Sequence, residues 1–187
     1  MLPPLFVALW LLRSLLLTSA PTSASATTAL AAAPKYTYFN LTAIAAKDGA
    51  SVLQCWQLAN PFMVSSTPGT AGTAIETLGN AANASYTILP ARFDGGLHHA
   101  PAVQYVAFLS GLVRIYLPNN TEVAYVHGGK KGLILAVDTP DVSQYGHYSD
   151  YPSGEQTVAM QIPTAGGVVP EHRVLYEGGC KESELDL

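Results

Sequence analysis

HHAPAVQYVAFLSG, running from His98 to Gly111, carries two imidazoles into a β-branched and aromatic run that ends on a turn pair. Val103–Leu109 reads as a strand, because branched and aromatic side chains suit a pleated, half-buried surface. A period of two puts Gln104, Val106 and Phe108 on one face. Pro101 interrupts the run, so parity alone does not decide whether His98 or His99 joins that face. Ser110-Gly111 then separates this strand from Leu112–Leu117 by two residues, the spacing of a tight hairpin.

Working outward, further strands are predicted at Ser51–Leu58, Ser85–Leu89, Glu122–Val126, Leu133–Val137, Thr157–Ile162 and Val169–Tyr176, each bounded by Gly, Pro, Asn or Asp. Asn119-Asn120 and Gly128–Gly132 supply more turns. Thr73-x-x-Glu76 resembles a capping box with Gly79 as its stop, which predicts one short helix inside the loop-like stretch from Pro61 to Asn83. No long amphipathic helix and no repeat of 20–50 residues is visible. Doubly wound α/β folds, helical bundles, propellers and solenoids are therefore excluded, leaving an all-β sandwich or small barrel.

The chain has 187 residues, 49% apolar and 12% charged, with a formal net charge of −4. That length suits one domain. An acidic balance leaves no basic surplus to neutralise phosphates, so no nucleic-acid partner is expected. The apolar content is too high for a disordered chain. Leu5–Leu17 is an apolar run broken by Arg13-Ser14, followed by small residues and Ala24-Ser25-Ala26, an A-x-A pattern. It reads as a secretory signal peptide over 1–26. The run is shorter than the roughly 20 apolar residues of a membrane span, so no membrane association is expected after cleavage.

Secretion to the extracellular space carries further expectations. Asn40, Asn83 and Asn119 each begin an Asn-x-Ser/Thr sequon and are candidate glycosylation sites. Cys55 and Cys180 would meet in an oxidising compartment and are expected to form a disulfide. Residues 27–50 are read as an N-terminal extension, 51–180 as the β-domain and 181–187 as a tail.

The chemistry-bearing residues cluster around the opening stretch. About forty residues beyond it, Asp138-Thr139-Pro140 precedes Gly146-His147, and two imidazole sources and a carboxamide on paired strands would converge. Asp138 either orients His147 or caps a turn, and Asp-Thr-Pro favours the turn. The segment from about Asp94 to Ile162 resembles the cupin superfamily, whose first motif is Gly-X5-His-X-His-X3-4-Glu-X6-Gly. Gln104 stands at the Glu position and Gly111 follows at the required spacing, with His98 or His99 supplying a histidine. Leu133–Val137 and Gly146-His147 match the second motif with a longer insert. The phrase is similar to small single-domain secreted cupins of fungal type.

That resemblance implies a double-stranded β-helix, or jelly-roll barrel, with one or two short helices, and pairing of two copies through sheet edges. It also implies a small organic ligand or substrate in the barrel and one divalent transition metal, Fe, Mn, Zn or Ni. His98, His99, Gln104 and His147 are the corresponding ligands. Gln104 departs from the family's carboxylate, and a neutral amide brings no charge to offset a dication. Metal-free acid–base work by His98 and His147, with Gln104 orienting a carbonyl, stands beside the metal reading. Either would serve oxidation, isomerisation, cyclisation or lyase chemistry on a small apolar or aromatic metabolite. Tyr105, Phe108 and Asp138 are expected to contact the ligand. A non-catalytic extracellular carbohydrate or metabolite binder, or a secreted effector, is the alternative.

Other features read as structure. Arg114 and Tyr116 alternate with Val113, Ile115 and Leu117 and face outward, and Trp56 belongs to the core. His127 beside Gly128-Gly129-Lys130-Lys131-Gly132 lacks phosphate-loop spacing and reads as a solvated hairpin. Tyr145, Tyr148 and Tyr151 flank His147, as a pocket rim or as packing for the insert.

Overall fold

Residues 37–118 and 122–185 are described in the computed structural model. They form thirteen strands: β1 (Tyr38–Lys47), β2 (Ala50–Pro61), β3 (Met63–Val64), β4 (Ala74–Ile75), β5 (Ser85–Leu89), β6 (Asp94–His98), β7 (Gln104–Ser110), β8 (Leu112–Tyr116), β9 (Val123–His127), β10 (Leu133–Ala136), β11 (His147–Asp150), β12 (Thr157–Pro163) and β13 (His172–Glu177). Seven make one sheet in the order β13-β2-β1-β10-β7-β12-β5, and four make a second in the order β6-β11-β8-β9. β3 and β4 pair with each other alone. The only helical turns among the described residues are two three-residue 3-10 turns, Ala165–Gly167 and Glu182–Glu184. The protein is all-β.

The larger sheet is buried on both faces at its centre. Ile44, Leu53, Val106, Phe108, Ile134 and Ala136 pack in one cluster with Val113, Ile115, Ala124 and Val126 of the smaller sheet. Leu41, Ala43, Ala45, Trp56, Leu58, Tyr105 and Leu135 form a second cluster, against which Leu78 of the 62–82 segment packs. Each fully buried large aliphatic side chain contributes about 1.5–3 kcal/mol relative to its exposed state. β1 lies between antiparallel β2 and parallel β10. The stretch read as an extension therefore supplies a central strand. Its small residues, Ala43 and Ala45 among them, carry weak strand propensity, and burial on both faces erases the alternation that marks a one-sided strand.

Two turns differ from their sequence reading. Ser110-Gly111 does not close a hairpin: β7 pairs with β10 and β12, whereas β8 pairs with β11 and β9. The chain instead turns a corner from one sheet to the other. Gly111 has φ +81°, and a Cβ there would overlap Thr157 on β12. Only glycine fits both the conformation and the space. Gly128–Gly132 is likewise a crossing, from β9 to β10, held to the end of β7 by hydrogen bonds from Gly129 N to Phe108 O and from Phe108 N to Gly132 O. β8 and β9 do pair as the hairpin expected of Asn119-Asn120.

The expected helix at Thr73 is also replaced. Ala74–Ile75 forms β4 against β3, and Ser65 N takes the Thr73 carbonyl, so strand pairing satisfies this backbone locally. Cys55 on β2 and Cys180 form the expected disulfide. Closing a loop of that length stabilises by about 4–5 kcal/mol on the chain-entropy view. Trp56 is core, with His172 stacked on it. Tyr116 stacks on Tyr148, and Arg114 pairs with Asp150 beside them.

Candidate active site

β11 runs antiparallel to β6, and their register sets His147 directly opposite His98. The chain reaches this point through Gly146, with φ +75°, where a Cβ would overlap the His98 carbonyl. The two ring centroids are 4.5 Å apart, with planes inclined at 60°. Residues distant in sequence therefore form one imidazole pair, through strand pairing alone.

Each ring is fixed by its Nδ1. His147 is 3% exposed, and its Nδ1 lies 2.7 Å from Oδ2 of Asp138, which is fully buried. A carboxylate only accepts, so His147 carries a proton on Nδ1, and its Nε2 meets no hydrogen-bond partner among the described residues. Asp138 thus orients the imidazole. The turn that follows is made by the Thr139 carbonyl accepting from Val142 N and Ser143 N. The Asp138 side chain takes no part in it, because the buried imidazole offers the stronger, charge-assisted bond. His98 donates Nδ1–H to the Gly96 carbonyl at 3.0 Å. Burial and the neighbouring His147 hold the His98 imidazole below its ordinary pKa, against smaller upward pulls from the Gly96 carbonyl and Asp138. His98 therefore favours the neutral form.

Both rings open on a cavity of about 320 Å³. The larger sheet lines it with Gln104, Val106, Phe108, Ile134 and Gln161, and the smaller with Ile115, Ser149 and His147. Gln104 is 5% exposed, and its face is the one that periodicity assigned to Val106 and Phe108. No Lys, Arg, Asp or Glu is among the described lining residues. A lining of apolar side chains with uncharged polar ones suits an uncharged molecule that offers both kinds of surface.

The remaining site expectations divide. His99 lines the cavity wall, with its Nε2 held to the Ser143 carbonyl at 2.9 Å. Phe108 lines it as expected. Tyr105 does not. It alternates with Gln104 and Val106, and so lies in the cluster on the opposite face of the larger sheet. Burial, with the nearby Glu76 carboxyl adding to it, pushes the Tyr105 hydroxyl up to about 12. Asp138 acts behind His147 rather than in the cavity wall. Among the described residues no group of three or more His, Cys, Asp or Glu side chains is arranged to hold a metal ion.

Sequence reasoning passed over Ser51, Ser143 and Gln161. Ser51 Oγ donates to Asp138 Oδ2, and Ser143 sits beside it. A serine at a strand start and one in a loop carry no local mark of such a contact. Tyr151, weighed only as rim or packing, lines the cavity.

No family model, curated protein or solved structure matches this chain. No helix among the described residues is long and apolar enough to cross a membrane. The signal-peptide reading at 1–26 and the Asn119 sequon lie outside the described residues. Asn83 is exposed just before β5. Asn40 is half-buried on β1, donating its side-chain amide to the Glu184 carbonyl and accepting from Gln57.

Proposed function

We propose that this chain is a secreted protein with a cupin-like jelly-roll barrel, and that its cavity binds a small neutral carbonyl compound within which His147 moves a proton, with His98 and Gln104 holding the substrate. The observation that carries the reading is the buried Asp138–His147 contact at 2.7 Å, with His98 across from it and Gln104 lining the same cavity from the other sheet. His147 Nε2 accepts a proton from a carbon next to the substrate carbonyl. The Gln104 side-chain amide donates to the carbonyl oxygen as negative charge builds there. The His147 imidazolium, held by Asp138, returns that proton at a second position, while the bare Nε2 of neutral His98 accepts a hydrogen bond from the substrate. That sequence is an isomerisation, and a positioned base of this kind contributes typically about 10²–10⁴-fold. The paired disulfide supports the extracellular assignment.

The test uses alicyclic and aromatic ketones in deuterated buffer, with loss of the α-proton signal followed by NMR. The expected result is saturable exchange that falls by at least about 10²-fold in His147→Ala. Binding without exchange would make the chain a metabolite binder. Exchange unchanged in His147→Ala would overturn the base assignment.

A second reading has its own observation. Both imidazoles commit Nδ1 to an oxygen acceptor and keep Nε2 free of any described partner, the outer-shell pattern of metal-bound histidines. With Gln104 they supply two nitrogens and one neutral oxygen, which fits a borderline-soft divalent ion held without a carboxylate ligand. A metal there would polarise the substrate carbonyl as a Lewis acid. Elemental analysis of the purified protein separates the readings. One equivalent retained through dialysis and lost in His147→Ala supports the metal, and well under one equivalent supports the acid–base site.

A further inference from the structure

Behind His147 the buried polar groups form one chain. Gly146 N lies 3.2 Å from Ser143 Oγ, Ser143 Oγ lies 2.7 Å from Ser51 Oγ, and Ser51 Oγ lies 2.7 Å from Asp138 Oδ2. The same Oδ2 takes His147 Nδ1. Ser51 and Ser143 are 7% and 3% exposed, and Asp138 is fully buried.

The direction of every bond follows from the acceptor at its end. Asp138 as a carboxylate can only accept, so Ser51 must spend its single hydroxyl proton on it. Ser51 then has only lone pairs left for Ser143, so Ser143 donates. Ser143 in turn has only lone pairs for the Gly146 amide, which can only donate. All the protons point one way, from the Gly146 amide to the Asp138 carboxylate. Bonds aligned in this way polarise one another in a low-dielectric interior. The other Asp138 oxygen is buried and takes no hydrogen bond from any described residue. The carboxylate is therefore held by two donors, the Ser51 hydroxyl and the His147 ring.

We infer that Ser51 and Ser143 are positioning residues that fix Asp138 and thereby lock His147 as its Nδ1–H tautomer, with Nε2 turned to the cavity. Ser143 does this from the loop between β10 and β11, which also receives His99 through the Ser143 carbonyl. Ser51 does it from β2, so the larger sheet sets the tautomer of a residue on the smaller one. The inference builds on His147 as the reactive imidazole, but its evidence and its test need no substrate.

The test is ¹⁵N NMR of the full-length protein labelled at histidine, in the wild type and in Ser51→Ala, Ser51→Thr and Ser143→Ala. Nitrogen shifts report the His147 tautomer, and exchange of its ring N–H with water reports how firmly the proton is held. The wild type is expected as a single Nδ1–H tautomer with a slowly exchanging proton. Ser51→Ala removes a hydrogen bond to a charged group, so N–H exchange should quicken by about ten- to a hundredfold and the Nε2–H tautomer should appear. Ser51→Thr keeps the hydroxyl and should restore both signals. Ser143→Ala should shift them the same way by less, and gives the answer if Ser51→Ala does not fold. A purely structural role would lower the melting temperature and leave the tautomer alone. An Nε2–H tautomer in the wild type, or exchange within about twofold of wild type in both alanine variants, overturns the inference. The ketone assay can fail while this result stands, so the two readings are separable.

Discussion

His98 and His147 occupy opposed positions on neighbouring antiparallel strands, and each gives its Nδ1 to a different oxygen, one on the backbone and one on a buried carboxylate. The difference matters for their chemistry. The carbonyl of Gly96 carries no charge to favour an imidazolium, whereas Asp138 does. His98, for its part, is kept neutral, chiefly by burial.

The His98 shift has a sign that can be measured. Its folded-state pKa lies below the ordinary histidine value, chiefly because of burial. The folded protein therefore binds this proton less well than the unfolded chain does. The resulting stability is fully present above the unfolded pKa, near about 6.5, and is lost as pH falls through the lower folded value. Melting temperatures from pH 7.5 down to pH 5 should decline in the wild type and decline less steeply in His98→Gln. Parallel curves for the two proteins would contradict the assignment.

Glu76 should show the opposite slope. Both its carboxyl oxygens lack solvent contact and any hydrogen-bond partner among the described residues, and burial raises its pKa above the ordinary carboxylate range. Folding favours the neutral acid, so stability present at low pH is lost as pH rises through the raised value. Glu76→Gln keeps a neutral group of similar shape. Its melting temperature should match the wild type near pH 4 and exceed it by pH 7, as scanning calorimetry can record.

Gly111 makes a steric prediction. Its positive φ and the Thr157 side chain at the corner both exclude a Cβ. Gly111→Ala should cost at least about 1–3 kcal/mol in urea denaturation, since overpacking and an unfavourable backbone conformation act together. Gly129, also at positive φ but with open space around its Cβ position, is the control. Gly129→Ala should cost less, from the backbone alone.

The sequons should be used unequally. Asn83 is exposed outside any strand, while both polar atoms of the Asn40 side chain are engaged on β1. Expression through a eukaryotic secretory host, followed by mass spectrometry of the peptides, should find glycan on Asn83 and an unmodified Asn40. Full occupancy at Asn40 would mean that the Glu184 and Gln57 contacts do not hold in the secreted protein.

Several of these features were open to sequence reading, and others were not. Alternation along Gln104-Tyr105-Val106-Ala107-Phe108 announced which side chains would share a face, because a strand's period of two is local. It also implied that Tyr105 would face away from them, although Tyr105 was expected at the ligand. Ser85–Leu89 and Thr157–Ile162 were legible as strands from the same local preference. β1 was obscured by alanines, β6 by glycines and β11 by its shortness and polarity, since none offers apolar periodicity.

The amino-acid order alone thus determined the all-β class, the strand that carries Gln104 and Phe108, and the cysteine pair, because these depend on local periodicity or on there being only two thiols to join. It could not determine that Ser110-Gly111 turns a corner between sheets rather than closing a hairpin, since two residues of that kind satisfy either path. Only the tertiary structure set His98 against His147, Asp138 behind it and Ser51 behind Asp138. Those contacts join positions far apart along the chain, and the strand register that creates them is decided by the packing of two sheets around one core.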